Sequence, residues 1–543
     1  MSASSKKKLR NEQAAEKLTE RQLAEKKEAK KLKIYTAVFS VVVIAMLIFA
    51  ITFGGYNAIT NSGILERSTV AATVNGHDLS NTELNYYYID YVNNFCNQYS
   101  SYISYILDTT KPLDQQSYSD TQTWADYFLD EAMYSAASTY ALADAAKAAG
   151  YTLTDADKAS IESSLSTASY YAMYYYGYTD LGSYLKGMYG NGANEKTYRA
   201  YLETSTLASS YYNAYTSALT YTDEEIRAVD AENPQVYNSY SYNYYYIPVS
   251  DFLTGGTTDA EGKVTYSDEE NEAARAAAEE AAKTLAGSAA TTVEQFDLDV
   301  ALVKTDDTSM ACDNYLYASL LTVAQEWIAD SSRQAGDKNY FAYSIHTHAE
   351  GETHSDDEDS AAFDVVKGYY VVMFHSVSDN ATELVNVRHC LIAPTSATGA
   401  STFTEEEWAV AEEKANALLE QWKSGDATED SFATMANANS TDTGSNTNGG
   451  LYENVYPGQM VPEFNDWCFD AARVTGDTAV VKTSYGFHIM YFVGNTGTSY
   501  RDFMINEELT NADITEWYSA LTADLATELK NTKYIATDLV LGG

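Results

Sequence analysis

Val387-Arg-His-Cys-Leu-Ile392 opens, and Thr483-Ser-Tyr-Gly-Phe-His-Ile489 closes, the part of this 543-residue chain that decides its fold. The first segment reads as a strand over Asn386–Ala393. The second runs into Gly486-Phe-His-Ile-Met-Tyr-Phe-Val493, an aromatic and apolar closing strand. Each strand carries one histidine, His389 and His488. Between them Thr404-x-x-Glu407 is a capping box that opens a helix to about Lys423. It is followed by Phe432-Ala-Thr-Met-Ala436, Ser440-Thr-Asp442, Gly449-Gly-Leu451, Gly458-Gln-Met-Val-Pro-Glu-Phe464 and Gly476-Asp477.

The same grammar occurs upstream. Tyr240–Val249 is aromatic and β-branched, hence a strand; Ser267-x-x-Glu270 opens a helix to Leu285; and Gly368-Tyr-Tyr-Val-Val-Met-Phe-His375 is a closing strand. Residues 238–378 and 384–495 therefore read as two copies of one αβ module. Before them, 69–235 reads as mostly helical. Ser68–Gly76 is a short strand ending in an Asn-Gly turn. Ser80 and Glu83 form a capping box for a helix with Leu84, Tyr87, Tyr88 and Tyr91. A second helix runs from Trp124 to Tyr151 with Gly150 as its C-cap, and Thr154–Asp157 and Thr222–Glu225 start two more. The tail, 500–543, returns to helix. The fold class is α+β.

Charge divides the chain. Its formal net charge is −43, but residues 1–33 hold 11 Lys/Arg against 5 Glu, and Ile34–Phe53 holds no charged residue. Nucleic acid is excluded as the main partner, because phosphate binding needs a basic surface. Twenty uncharged residues span about 30 Å as a helix, the thickness of a bilayer core. Residues 34–53 are read as a single transmembrane helix, with 1–33 as a basic cytoplasmic tail. Lysines 26, 27, 30, 31 and 33 then place the bulk of the chain outside the cell membrane. A cleaved signal peptide is the rival reading, with a shorter apolar region. The four cysteines form no CxxC pair, which argues against a structural zinc site. His346, His348 and His354, beside an acidic run to Asp359, are metal ligands by type, but no regular spacing brings them together.

The downstream string closely resembles the parvulin family of peptidyl-prolyl isomerases over about 110 residues, in order and spacing. The whole arrangement resembles the SurA/PrsA-like foldases. The resemblance implies a SurA N-terminal-like helical chaperone domain (69–235), a degenerate parvulin-like module (238–378), an isomerase module (384–495) and a C-terminal segment (500–543) packing on the chaperone domain. It implies that His389 and His488 are the family's paired histidines, that Asp442 stands where parvulins carry Cys or Asp, and that Thr483 supplies the hydroxyl bonded to the pair. Leu451, Met460 and Phe464 match the proline pocket. The expected activity is cis-trans isomerisation of X–Pro bonds in unfolded exported polypeptides, together with chaperone action and with no cofactor. An aspartate at 442 argues against thiol attack and for electrostatic stabilisation of the twisted amide. Strand alternation puts Cys390 on the face opposite His389.

Some features depart from the family pattern. The loop Ala393–Phe403 has no Lys or Arg, which points to non-phosphorylated substrates. One extra residue lies between Leu451 and Gly458. In the first copy Tyr245 and Tyr370 stand about where the histidines would be. Tyr170-Tyr-Ala-Met-Tyr-Tyr-Tyr-Gly-Tyr178 is read as packing for most of its rings and client contact for some. Two other functions fit the chain: a non-catalytic holdase that uses its parvulin modules as binding platforms, and a structural or adhesive surface protein.

Overall fold

The computed structural model describes residues 58–347, 363–396, 399 and 402–541, together with 3–11 and scattered positions between 27 and 56. It divides into two units, one of residues 1–219 and 513–543 and the other of 220–512. Among the described residues no helix is long and apolar enough to cross a membrane. Of the stretch read as a transmembrane helix, 34–37, 40, 47 and 49–53 lie outside the described residues, as do His348 and His354. Among the described residues no group of three His, Cys, Asp or Glu could hold a metal ion.

The first unit starts from a hairpin, β1 (Val70–Val74) and β2 (His77–Ser80). The turn between them needs two left-handed residues, and Asn75 (φ 47°) and Gly76 (φ 82°) supply them. The helices α1 (Asn81–Gln98), α2 (Trp124–Ala148), α3 (Asp155–Tyr174), α4 (Leu181–Tyr189) and α5 (Glu195–Ala218) come next in the chain. Thr154 and Asp157 form the expected reciprocal cap of α3. Ser80 caps α1 alone: its side chain accepts from the Glu83 N–H, while the Glu83 carboxylate accepts from the Tyr140 hydroxyl. Tyr86, Tyr88, Leu84 and Phe128 fill the core. The tail is helical only to Thr522. It continues as the strand Thr527–Leu529, paired antiparallel with β1, and beyond that strand the Asn81 and Asn85 amides donate to the carbonyls of Asn531 and Tyr534. The tyrosine run at the end of α3 is also not packed as expected. Tyr170, Tyr171, Tyr174, Tyr175 and Tyr176 are exposed, and Ala172 takes the buried position.

The second unit opens with α6 (Asp223–Glu232), capped by Thr222 and Glu225. The first module comprises β3 (Ser239–Pro248), α7 (Asp268–Ala286), α8 (Val293–Val303), β4 (Met310–Leu316), β5 (Lys338–Thr347) and β6 (Phe363–Ser378). The second comprises β7 (Glu383–Ile392), α9 (Glu405–Lys423), α10 (Glu429–Asn439), β8 (Leu451–Val455), α11 (Pro462–Cys468), β9 (Thr478–Thr483) and β10 (Gly486–Ser499). The sheets run β4-β3-β6-β5 and β8-β7-β10-β9, the same antiparallel order built twice.

A second repeat runs through the side chains of both modules. Trp327, Asp330, Arg333, Gly336 and Asp337 recur in identical spacing as Trp467, Asp470, Arg473, Gly476 and Asp477. In each copy the guanidinium lies over the tryptophan ring, and the Gly N–H donates to a carbonyl of the closing strand, Phe374 or Phe492. In the second module one face of the sheet packs Cys390, Ile392, Phe487 and Ile489 on α9 and α10. The other packs Val387 and Met490 on Phe464 and Trp467 of α11.

Candidate active site

Strand alternation aims the site. Cys390 and Ile392 go into the helical layer, so His389 projects from β7 toward α11, as His488 does from β10. The register pairs His389 with Met490 and His488 with Leu391, which makes the imidazoles diagonal neighbours on one face. Their Nδ1 atoms are 3.0 Å apart. Both side chains are buried, at 2% and 6% exposure.

The loop after α10 is stitched to β7. Ser440 Oγ accepts from the N–H of Leu391 (3.0 Å) and of Asp442 (3.2 Å), and Thr441 N–H donates to the Leu391 carbonyl (2.9 Å). Asp442 Oδ2 thereby reaches His389 Nε2 at 3.0 Å. At the other end Thr483 Oγ1 is 2.9 Å from His488 Nε2. Gly450 lets the chain return past His389: its φ is +69°, and a Cβ there would stand 2.0 Å from the His389 carbonyl oxygen.

The four polar residues singled out in the sequence therefore form one line, Asp442–His389–His488–Thr483. Sequence reasoning missed two members of its surroundings. Ser445 and Tyr452 both donate to Asp442 Oδ2, Tyr452 at 2.9 Å, and the Tyr452 ring stacks on His389 with centroids 4.8 Å apart.

The apolar set divides. Phe464 is buried edge-on to both imidazoles, with centroids 5.5 and 5.3 Å away, and half-buried Met460 packs in the same cluster. Leu451 is elsewhere. It pairs with Arg388, whose side chain turns to Glu429 of α10, so Leu451 lies on the helical face. Tyr452 pairs with Val387 and takes the place expected for Leu451. The extra residue seen in the sequence explains the shift. The ladder skips from Tyr452↔Val387 to Val455↔Val385, leaving Glu453 and Asn454 (φ 54°) as a bulge.

Electrostatics fix the charge states. Burial holds His389 below its ordinary value against the pull of Asp442. Burial, then the neighbouring His389, pushes His488 down to about 3. Burial raises Asp442, but hydrogen bonds from Ser445, Tyr452 and Gly444 N–H outweigh it and bring the carboxyl to about 2. At neutral pH both imidazoles are neutral and Asp442 is an anion. With Asp442 an anion, and with Ser445 Oγ also 3.1 Å from His389 Nε2, the contacts are met by the following proton arrangement. His389 Nε2–H donates to Asp442, His488 Nδ1–H donates to His389 Nδ1, and the Thr483 hydroxyl donates to His488 Nε2.

Residues 369–495 match the family model of the PPIC-type PPIase domain, beginning inside β6 and ending inside β10, the closing strand of the second module. The chain carries a parvulin-type domain. The chain is 34% identical over 114 residues to chaperone SurA of Pseudomonas putida, covering 21% of this chain and 24% of that protein. Foldase protein PrsA 3 of Bacillus cereus is 44% identical over 61 residues, covering 11% and 20%. The chain thus spans about a quarter or less of the length of these curated relatives. Among solved structures, PrsA from Bacillus subtilis aligns at 23% identity over 28% of this chain and 54% of that one, with a TM-score of 0.19. NmPin, the parvulin of Nitrosopumilus maritimus, aligns at 24% over 21% and 98%, with a TM-score of 0.16.

Among its described residues the first module has no counterpart of the Asp–His–His–Thr line. Tyr370 pairs with Tyr246 as His488 pairs with Leu391, which makes Tyr244 the counterpart of His389. The rings of Tyr244 and Tyr370 meet at 5.5 Å. Tyr245, expected at that place, faces the helices instead, where its hydroxyl donates to Asp307 at 2.8 Å. One residue along a strand reverses the face, so Tyr244 and not Tyr245 meets Tyr370.

Proposed function

We propose that this protein is a membrane-anchored extracytoplasmic foldase whose parvulin domain catalyses cis-trans isomerisation of X–Pro bonds in unfolded exported polypeptides. The observation that carries the reading is the hydrogen-bonded line Asp442–His389–His488–Thr483 lying against Phe464 and Met460. Rotation about an X–Pro bond crosses a barrier of about 20 kcal/mol, because amide resonance is lost, and takes tens to hundreds of seconds unaided. Nothing covalent is required to speed it. A surface that holds the pyrrolidine ring, with fixed dipoles beside it, lowers the barrier if it favours the twisted amide over the planar one. Each ~1.4 kcal/mol of that preference is worth a factor of ten. The neutral imidazoles supply oriented N–H and ring-nitrogen dipoles that need no rearrangement during rotation.

The uncharged run 34–53 and the lysines before it support the anchor and the outward orientation of the rest. The helical first unit, with its exposed tyrosines, supports binding of unfolded chains, and the cation-free loop 393–403 supports non-phosphorylated clients. With Tyr244 and Tyr370 in place of the histidines, the first module is read as non-catalytic.

The test is isomerisation of a proline-containing peptide by the detergent-solubilised chain, compared with the double variant His389→Ala, Asp442→Ala. Loss of activity in the variant supports the reading. An unchanged rate sinks it and leaves a holdase, to be recognised by suppressed aggregation of an unrelated unfolded protein.

A further inference from the structure

Tyr452 does more than line the site. It stands on β8 opposite Val387, on the face of the sheet that carries both histidines. Its ring covers His389 at an interplanar angle of 22°, and its hydroxyl donates to the same Asp442 oxygen that receives His389 Nε2–H. Ser445, fully buried, donates to that oxygen as well, and the Gly444 N–H takes Oδ1 at 3.2 Å. The carboxylate is thus held at both oxygens, and Oδ2, which accepts from Ser445 and Tyr452, is the oxygen that meets His389 Nε2.

We infer that Tyr452, seconded by Ser445, is the positioning residue of the isomerase site: by clamping Asp442 Oδ2 as the acceptor for His389 Nε2–H it sets the direction of the whole proton line to Thr483. The inference rests on the isomerase reading for its consequence in catalysis, but not for its geometry. The chemistry is directional. If Asp442 stops accepting, His389 Nε2 no longer needs its proton, the pair can exchange roles at Nδ1, and Thr483 can meet an N–H in place of a lone pair. The site then holds two tautomer arrangements where it had one, with dipoles of opposite sense.

The titratable groups facing Asp442 are His389, His488 and Tyr452. The Tyr452 hydroxyl is itself pushed up to about 12, by burial and then by the Asp442 anion, so it remains a donor across the working range. A hydrogen bond to the charged form holds a carboxyl acidic, so removing the donor moves Asp442 protonation to higher pH.

The experiment uses the full chain, labelled with 15N-histidine; the sequence has only seven histidines. It compares wild type, Tyr452→Phe and Ser445→Ala. In wild type the ring-nitrogen shifts should show His389 protonated at Nε2 and His488 at Nδ1. In Tyr452→Phe, which keeps the ring, both should move to mixed tautomers. The acid limb of the kcat/KM–pH profile should rise by about one pH unit, with kcat/KM at neutral pH down by about tenfold. Ser445→Ala should shift both in the same direction by less. Wild-type tautomers and an unmoved profile in Tyr452→Phe overturn the inference and leave Tyr452 as packing. Should Tyr452→Phe fail to fold, unchanged tautomers in Ser445→Ala overturn it equally. An inactive wild type defeats the isomerase reading alone, because tautomers are read without turnover.

Discussion

The Nδ1 atoms of His389 and His488 face each other at 3.0 Å, which two protonated imidazoles could not do. Both rings are buried and both titrate below the ordinary histidine value of 6.5, with burial as the leading cause. The sign is then fixed. Below pH 6.5 the unfolded chain takes up protons that the native chain refuses, so the stability these residues contribute is present above 6.5 and lost as pH falls toward the folded values. The slope is about 1.4 kcal/mol per pH unit for each imidazole. Urea unfolding of the parvulin domain, followed by tryptophan fluorescence between pH 7.5 and 4.5, should show this decline. His488→Gln should make it shallower; an equal slope in that variant would mean His488 is charged or exposed in the native state.

Gly450 and Gly76 both sit at positive φ, yet substitution should affect them very differently. A methyl group at Gly450 would stand 2.0 Å from the His389 carbonyl, whereas nothing lies within 4 Å at Gly76. Gly76→Ala carries only the left-handed backbone penalty, about 1 kcal/mol. Gly450→Ala must also move β7, at a cost of about 3 kcal/mol or more. Thermal unfolding of the two variants checks the ranking, and the isomerase assay should report loss in Gly450→Ala alone.

Much of this site was legible in the sequence because its signals are local. Capping pairs such as Thr404/Glu407 and Thr154/Asp157 act within one turn, and the strands around His389 and His488 announce themselves by composition. The misplaced residues turned on counting along strands. One bulge residue moves Leu451 to the helical face and brings Tyr452 to the histidines, and one step separates Tyr244 from Tyr245. Period-two structure has no tolerance for such a step. The Trp-x-x-Asp-x-x-Arg-x-x-Gly-Asp repeat was readable in the letters, and it marks the duplication better than the strands do. The tail could not be read from local pattern: Thr527–Leu529 is a strand only because β1 offers it an edge.

The repeat also makes a stability prediction. Arg473 lies 4.3 Å over the Trp467 ring, donates to the Trp467 carbonyl at 3.0 Å and reaches Asp470 and Asp477. These contacts tie α11, which carries Phe464, to the strand after it. Arg473→Ala should cost about 2 kcal/mol of domain stability, and Arg473→Lys should recover little of it because an ammonium cannot lie flat on the ring while holding two carboxylates. Equal urea midpoints for wild type and both variants would show that the tie contributes nothing.

Cys390 adjoins His389 in sequence and tests the assignment of faces. Its side chain is buried between the sheet and α9/α10, away from the site, and burial raises its thiol to about 12. The thiolate is the reactive form, so at pH 8 the native protein should leave Cys390 unmodified by iodoacetamide while the urea-unfolded chain reacts. Cys390→Ala should keep isomerase activity within about twofold while losing about 1 kcal/mol of stability, since it removes one buried sulfur and nothing that reaches the polar line. Native-state alkylation that abolishes turnover would instead place the thiol at the site. That outcome would require β7 to present consecutive residues to one face, which the pairing of His389 with Met490 and Cys390 with Ile489 does not allow.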